Sequence, residues 1–336
     1  MSVSRAAPVY WARHLNKLRW ASLSLVFAML VLLPFLHVYQ SYVAAHAYDL
    51  LQPGEKWLYD SMETLTSPFV SDPARQLDSV KGTTWSGTLF GLKLSDPLAV
   101  LGQVAAGLRI HWPFVVTALI PILVTAALGR VFCGWICPAS FIYELNETLS
   151  GWLRKSGLTL GERQFDRRGK YLVLAAGFVL SVFSGSILYA AIYPPALVGR
   201  ELYYVVAQAG FGSGAVFFLG TLLFDILVAR RGFCRYLCAG GALYSLLGRY
   251  RAVRIQRDVA TCNDCQKCDV VCEFGLTPMA DGFGQECNNC TACIAVCPED
   301  ALRLRIAVHD IPFQGPGHQG HTWRHQQQAG QQEPPV

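Results

Sequence analysis

Twelve cysteines fall into sets whose spacing points to metal chemistry. Cys262, Cys265, Cys268 and Cys272 form a C-x2-C-x2-C-x3-C group, and Cys287, Cys290, Cys293 and Cys297 repeat it, with Pro298 after the last. Three thiolates this close in sequence wrap three corners of a cubane through one tight loop, while the fourth leads away on a short helix. In tandem groups of this kind the fourth cysteine of each ligates the other cluster. The expected quartets are therefore Cys262, Cys265, Cys268 and Cys297 for one [4Fe-4S] cluster, and Cys287, Cys290, Cys293 and Cys272 for the second. Structural zinc also takes four thiolates from C-x2-C units, but it needs neither a third close cysteine nor a C-x3-C step, each given twice. Spacing favours iron–sulfur.

The other four cysteines stand in a repeat. Arg130-Val-Phe-Cys133-Gly-Trp-Ile-Cys137-Pro138 is matched by Arg231-Gly-Phe-Cys234-Arg-Tyr-Leu-Cys238-Ala239. Each copy follows an apolar run and leads into an amphipathic stretch, 141–153 or 242–250, which implies two parallel helical hairpins. If these stretches are helical, the two cysteines of each pair share a face. Three readings compete for Cys133, Cys137, Cys234 and Cys238: small buried residues packing helix ends, a redox-active dithiol, and a joint four-thiolate site for a third metal or redox centre. Arg130, Arg231 and Arg235 beside them are expected to favour thiolate.

These ligands need elements to hold them, and the composition says where those lie. Of 336 residues 52% are hydrophobic and only 15% charged, a balance suited to a bilayer. Four apolar runs, 20–39, 110–129, 171–192 and 211–229, each approach the ~20 residues a membrane-spanning helix needs. The first has basic residues before it but no small-residue cleavage site after it, and reads as a retained anchor. Lys and Arg concentrate before the first run, in 130–170 and in 230–259, while the connections 40–109 and 193–210 hold few; this puts both termini in the cytoplasm. A net charge of +5 made of such clusters speaks for membrane orientation, with lipid as a partner, rather than for nucleic acid.

The predicted fold is thus an α-helical membrane protein of four transmembrane helices built as a duplicated hairpin unit, with a C-terminal α+β two-[4Fe-4S] domain over 260–307. Residues 52–95 read as an irregular external loop, and 96–109 as a short helix along the interface. The stretch 308–336, rich in Gln, Gly, Pro and His, reads as a disordered tail in which His318, His321 and His325 are solvated. His37, Tyr39, His111 and Trp112 stand near span ends at the external face, within reach of a quinone headgroup or simply as interface anchors. Asp225, inside the fourth run, is either functional or paired with Arg230 or Arg231. No G-x-G-x-x-G, P-loop or C-x-x-C-H motif is present, so neither a dinucleotide dehydrogenase nor a c-type cytochrome is supported.

Residues 260–305 resemble bacterial two-[4Fe-4S] ferredoxins, with Glu273 where a Pro usually follows the fourth cysteine. Together with the spans and the doubled C-x3-C, the chain from about 18 to 305 resembles the NapH, MauN and NosR group of polyferredoxin-type membrane proteins. That group's signatures are Phe-Cys-Gly-Trp-x-Cys-Pro, present at 132–138, and Phe-Cys-Arg-Tyr-x-Cys-Pro, present at 233–239 with Ala239 for Pro. The segment between the first two runs is too short for the external flavin domain of NosR proteins, so the closer likeness is to NapH and MauN. CcoG-type proteins, tied to copper handling, share the cysteine pattern. The resemblance implies an inner-membrane electron carrier, more than a stand-alone enzyme, passing electrons between the quinone/quinol pool or cytoplasmic donors and a periplasmic reductase or dehydrogenase. The alternative is a maturation factor supplying reducing equivalents for assembly of a periplasmic metalloenzyme.

Overall fold

The computed structural model describes residues 9–77, 80–83, 85–89, 91–158, 163–207 and 210–306. The expected tail, with His318, His321 and His325, lies outside the described residues. Helix α1 (Val9–Ala44) runs 36 residues with Pro34 inside it, and among the described residues it alone is long and apolar enough to cross a membrane. After it come α2 (Pro53–Thr66), α3 (Pro73–Gln76) and an antiparallel meander of β1 (Val80–Gly82), β2 (Ser86–Leu89) and β3 (Leu92–Ser95). The expected irregular loop is thus largely structured. Its first helix starts where Pro53 follows Gln52, whose amide donates to Glu55 Oε2 at 2.8 Å, a capping arrangement that meets the free N–H groups of a helix start.

Next are α4 (Pro97–Gly107), α5 (Trp112–Leu128), a π-helical turn (Phe132–Ile136) and α6 (Pro138–Lys155). The chain continues as α7 (Gly169–Ser184), α8 (Tyr189–Ile192), α9 (Pro194–Val206), α10 (Ser213–Leu227), a second π-helical turn (Phe233–Leu237) and α11 (Ala239–Leu247), so that a helix, a π-helical turn and a helix follow one another twice. Helices α5, α7 and α10 coincide with the remaining apolar runs, but at ~1.5 Å per residue they reach only ~22–26 Å, short of the ~30 Å hydrocarbon core.

The third run departs most from expectation. Its helix stops at Ser184, where Gly185 adopts φ +63, and the chain turns back along α7. Tyr189 then donates its hydroxyl to the Leu174 carbonyl at 2.6 Å. Hydropathy reads the run as one span because the returning leg is apolar too. Gly177 makes this possible: a Cβ there would stand 2.4 Å from the Tyr189 ring. Gly177→Leu is accordingly expected to expel Tyr189 and cost ~1–3 kcal/mol by overpacking, read as a lowered thermal midpoint. Helix α4 also differs from its expected place along an interface. Leu98, Ala99 and Ala105 are buried, with Leu98 in the core that includes Leu174, Tyr189 and Tyr193.

The C-terminal segment is closed by β4 (Val253–Arg257) paired antiparallel with β5 (Leu302–Ile306), with α12 (Lys267–Val271) and α13 (Ala292–Ala295) between them. Ile255 and Leu302 form its core with Phe274, Leu276, Phe283 and Ile294.

Candidate metal centres

The two C-terminal cysteine groups share one backbone design. Asp264 and Gln266 in the first loop, and Asn289 and Thr291 in the second, take positive φ, so each loop curls at matching positions. The Cys265 amide donates to Asn263 Oδ1 and the Cys290 amide to Asn288 Oδ1, both at 3.3 Å. Each fourth cysteine leaves its loop and takes a backbone N–H: Leu276 N donates to Cys272 Sγ at 3.4 Å and Ala301 N to Cys297 Sγ at 3.3 Å. Such donors stabilise charge on sulfur and tune a cluster's potential.

Cys262, Cys265, Cys268 and Cys297 line one small cavity of about 20 Å³. Cys297 thus comes to the group that is not its own in sequence. Cys293 has Cys290, Cys287, Cys272 and Cys268 as electrostatic neighbours, so the two groups lie close together. Cys265 is exposed, whereas Cys287 and Cys293 are buried in the core of their own segment. Among the described residues no three Cys, His, Asp or Glu side chains converge as ligands of a single ion. The sulfurs of Cys262, Cys265, Cys268 and Cys297 around one cavity fit a thiolate-ligated cluster.

The C-x3-C pairs form a third gathering. Both occupy π-helical turns closed by i→i+5 bonds, Cys137 N to Phe132 O at 2.8 Å and Cys238 N to Phe233 O at 2.9 Å. The pairs are therefore not consecutive turns of one α-helix: Cys137 and Cys238 leave helical geometry and become the N-caps of α6 and α11. Such turns recur at functional sites. Cys133, Cys137, Cys234 and Cys238 all line one cavity of about 30 Å³, with Tyr193, Pro194 and Phe274 among its other walls. Cys234 packs both on the helix core and on the core of the cysteine-rich segment. Burial pushes the thiols of Cys133, Cys137 and Cys238 up; Arg130 pulls Cys133 and Cys238 the other way, as expected, but burial outweighs it. A bound metal would supply the missing positive charge.

The arginines that begin the C-x3-C motifs have a second task. Arg130 Nη1 donates to Glu286 Oε2 at 2.6 Å, and Glu286 immediately precedes Cys287. Glu286 also accepts from Lys170 and, at 2.8 Å, from Tyr171. Burial alone would raise its carboxyl, but Arg130 and Lys170 more than offset this and hold it below the usual range. Arg231 Nη2 contacts Glu273 Oε2 at 2.6 Å and Glu144 Oε1 at 3.0 Å. Glu273, the departure from the usual Pro, is thus the partner of an arginine fixed beside the second thiol pair. Arg235 and Arg167 donate to the Phe274 carbonyl, and Asn289 Nδ2 donates to the carbonyls of Leu128 and Val253.

Other candidates have more ordinary places. Asp225 accepts the Phe233 amide at 2.9 Å and so holds the second π-helical turn, while Arg230 pairs with Glu147. His37 meets Tyr203 edge-on, Tyr39 donates to Glu63 at 2.7 Å, and His111 stands just before α5 with no capping bond from its side chain. Sequence reasoning missed Asp96, which caps α4 from within the helix layer and accepts from Tyr193 at 2.8 Å and Tyr244 at 3.2 Å. Its Asp-Pro pair signals a helix start and nothing more.

A family profile described as a 4Fe-4S binding domain matches residues 110–156 and 211–257. The cysteines inside these two stretches are Cys133, Cys137, Cys234 and Cys238. The chain is 32% identical to the ferredoxin-type protein NapH of Escherichia coli over 70% of its own length and 83% of that protein. It is 32% identical to NapH of Haemophilus influenzae, covering 74% and 88%, and 33% identical to the methylamine utilization ferredoxin-type protein MauN of Methylorubrum extorquens, covering 64% and 74%. No solved structure matches.

Proposed function

Because the chain belongs to the NapH and MauN family of ferredoxin-type proteins, we propose that its twelve thiols form a membrane-bound relay of three redox centres. It is an iron–sulfur electron-transfer protein. In this reading Cys262, Cys265, Cys268 and Cys297 hold one [4Fe-4S] cluster and Cys287, Cys290, Cys293 and Cys272 the second. Cys133, Cys137, Cys234 and Cys238 jointly hold a third metal or redox centre. When bound, these groups supply one-electron chemistry. The protein's own residues hold them in line, exclude water and donate N–H groups to sulfur.

The observation that carries the reading is the position of Cys234, which touches both the four-thiol cavity and the core around the tandem cysteine groups. Centres placed there follow one another from the helix layer to the exposed Cys265. Apolar side chains left exposed on α5, α7 and α10, such as Leu123, Phe183 and Leu223, favour a bilayer around four spans. The two π-helical turns of equal shape favour a duplicated unit. The basic clusters favour cytoplasmic termini. Electrons would then enter from the quinol pool or a cytoplasmic donor and leave for a periplasmic reductase or dehydrogenase.

Anaerobically purified protein should contain more than about eight iron and eight labile sulfide per chain, since two cubanes account for eight of each. Dithionite reduction should give interacting [4Fe-4S] signals by EPR. Full zinc and no iron, or an exported C-terminal reporter, would defeat the proposal. The rival reading, a maturation factor, expects the target enzyme of a deletion strain to lack its cofactor; the relay expects that enzyme to be complete and merely without electrons.

A further inference from the structure

We infer that the polar cavity between α6 and α10 seats the headgroup of a zwitterionic phospholipid, a primary ammonium beside a phosphate, whose acyl chains lie along the outer faces of the two helices. This rests on the proposal that a bilayer surrounds the helices, and it involves neither the thiols nor electron transfer.

Helix α6 is amphipathic in the sense opposite to a helix in water. Its inward face carries Tyr143, Glu144, Asn146 and Ser150, all buried, whereas Leu145, Leu149 and Trp152 stand exposed on the outer face. Their spacing of four and three residues makes one stripe. Helix α10 carries a second stripe of exposed Leu219, Leu223 and Leu227, while Thr221 and Asp225 turn inward. Polar side chains inside and apolar ones outside is the arrangement that hydrocarbon selects. The two helices are fastened side by side, because Asn146 Nδ2 donates to the Leu222 carbonyl at 3.1 Å and the hydroxyls of Tyr143 and Thr221 share a hydrogen bond of 2.8 Å.

Between them lies a cavity of about 150 Å³, walled chiefly by Glu147, Gly151 and Arg154 of α6, by Asp225 of α10, and by Arg230 and Arg231 just beyond it. Its charges balance. Arg231 is taken up by Glu144 and Glu273, which leaves Arg154 and Arg230 against Glu147 and Asp225. A purely anionic headgroup would meet the two carboxylates, and a purely cationic one the two guanidinium groups. A headgroup bearing both charges suits both sets. Glu147 also has acceptor capacity to spare: Oε1 pairs with Arg230, but Oε2 makes no hydrogen bond among the described residues and stands 3.6 Å from Arg231 Nε. A primary ammonium brings three N–H donors to such a carboxylate, and a phosphate matches Arg154 and Arg230.

Gly151 opens the mouth. It lies on the same face as Glu147 and Arg154, and a Cβ there would meet no other atom within 4 Å. Glycine weakens a helix interior, yet here its missing side chain leaves room beside the charged residues. Arg154 and Lys155 end α6 and Arg230 follows α10, a level at which basic side chains meet lipid phosphates. The apolar stripes beside the mouth commit the occupant to a lipid rather than to free phosphoethanolamine.

The test places the full chain in nanodiscs of equal parts phosphatidylethanolamine, phosphatidylglycerol and phosphatidylcholine, and identifies by native mass spectrometry the lipid that stays bound on transfer to detergent. Wild type should retain one phosphatidylethanolamine per chain, favoured about tenfold over phosphatidylcholine, which has the same charges but no N–H to offer Glu147. Glu147→Gln should lose that preference. Gly151→Phe, whose side chain enters open space and whose helix propensity is the better one, should abolish retention without lowering the thermal midpoint. Preferred retention of phosphatidylglycerol would overturn the zwitterion. Equal retention by wild type and Gly151→Phe would overturn the site and leave the bilayer reading standing. A folded chain that stays in solution and enters no nanodisc would remove the bilayer itself, and this inference with it.

Discussion

Replacing Cys297 with serine is expected to abolish the cluster built on Cys262, Cys265 and Cys268, and to leave the one beside its own sequence neighbours intact. The reason is the proposed crossing: Cys297 lines the cavity of the first group, and Cys272 is assigned to the second. Each serine should cost about four iron and four sulfide per chain. The informative comparison is spectroscopic. Cys297→Ser should match Cys262→Ser by EPR, and Cys272→Ser should match Cys287→Ser. The second pair should also be the more destabilising. Cys287 is buried in the core with Phe274 and Ile294, and cluster binding there is folding energy. If Cys297→Ser matched Cys287→Ser instead, the quartets would be wrong as drawn.

The expectation of that crossing could be drawn from sequence because ligand chemistry is written locally. Three cysteines within seven residues can wrap only a small object, and the fourth must go elsewhere. The apolar helices α1, α5 and α10 were legible for a similar reason, since one run of side chains decides each. Direction was not. Hydropathy is blind to a chain that reverses at Gly185 and returns beside itself, and only the missing Cβ of Gly177 hinted at something packed against it. Helix α2 and the β1–β3 meander were hidden by their polar, Gly-rich composition, although Gln52-Pro53 with Glu55 is a recognisable helix start.

The harder losses were pairings across the chain. Asp96 finds its hydroxyl donors 97 and 148 residues away, and nothing near it in sequence announces them. Glu273 was visible as an exception to a family pattern, but its meaning depends on Arg231, which lies 42 residues before it. The repeated arginines were read correctly as neighbours of thiols and incompletely as anchors. A repeat reveals that a residue matters in both copies; it does not reveal that Arg130 and Arg231 hold two acids of the same cysteine-rich segment.

This anchoring yields the second large expected effect. Arg231 is 2% exposed and stands between Glu144 and Glu273, while its Nη1 donates to Ser140 Oγ at 3.1 Å. Arg231→Ala would leave Glu273 near Glu144 without the cation that pairs with both; Arg19 still pairs with Glu144, at 2.5 Å, whereas among the described residues the ion pair of Glu273 is with Arg231. Breaking a buried pair from one end costs ~3–5 kcal/mol, a large part of the ~5–15 kcal/mol that holds a domain folded. The loss should fall on the seam between the helices and the cysteine-rich segment. Proteolysis under native conditions should therefore release residues 260–306 from Arg231→Ala well before wild type, with α1 to α11 still protected. Arg231→Ala combined with Glu273→Pro, which restores the residue usual after a fourth cysteine, should recover part of the protection because the stranded acid is gone. Equal protection of Arg231→Ala and wild type would mean that the segment is held without Arg231, through Arg130 and Lys170 on Glu286 and through the carbonyl contacts of Asn289, Arg235 and Arg167.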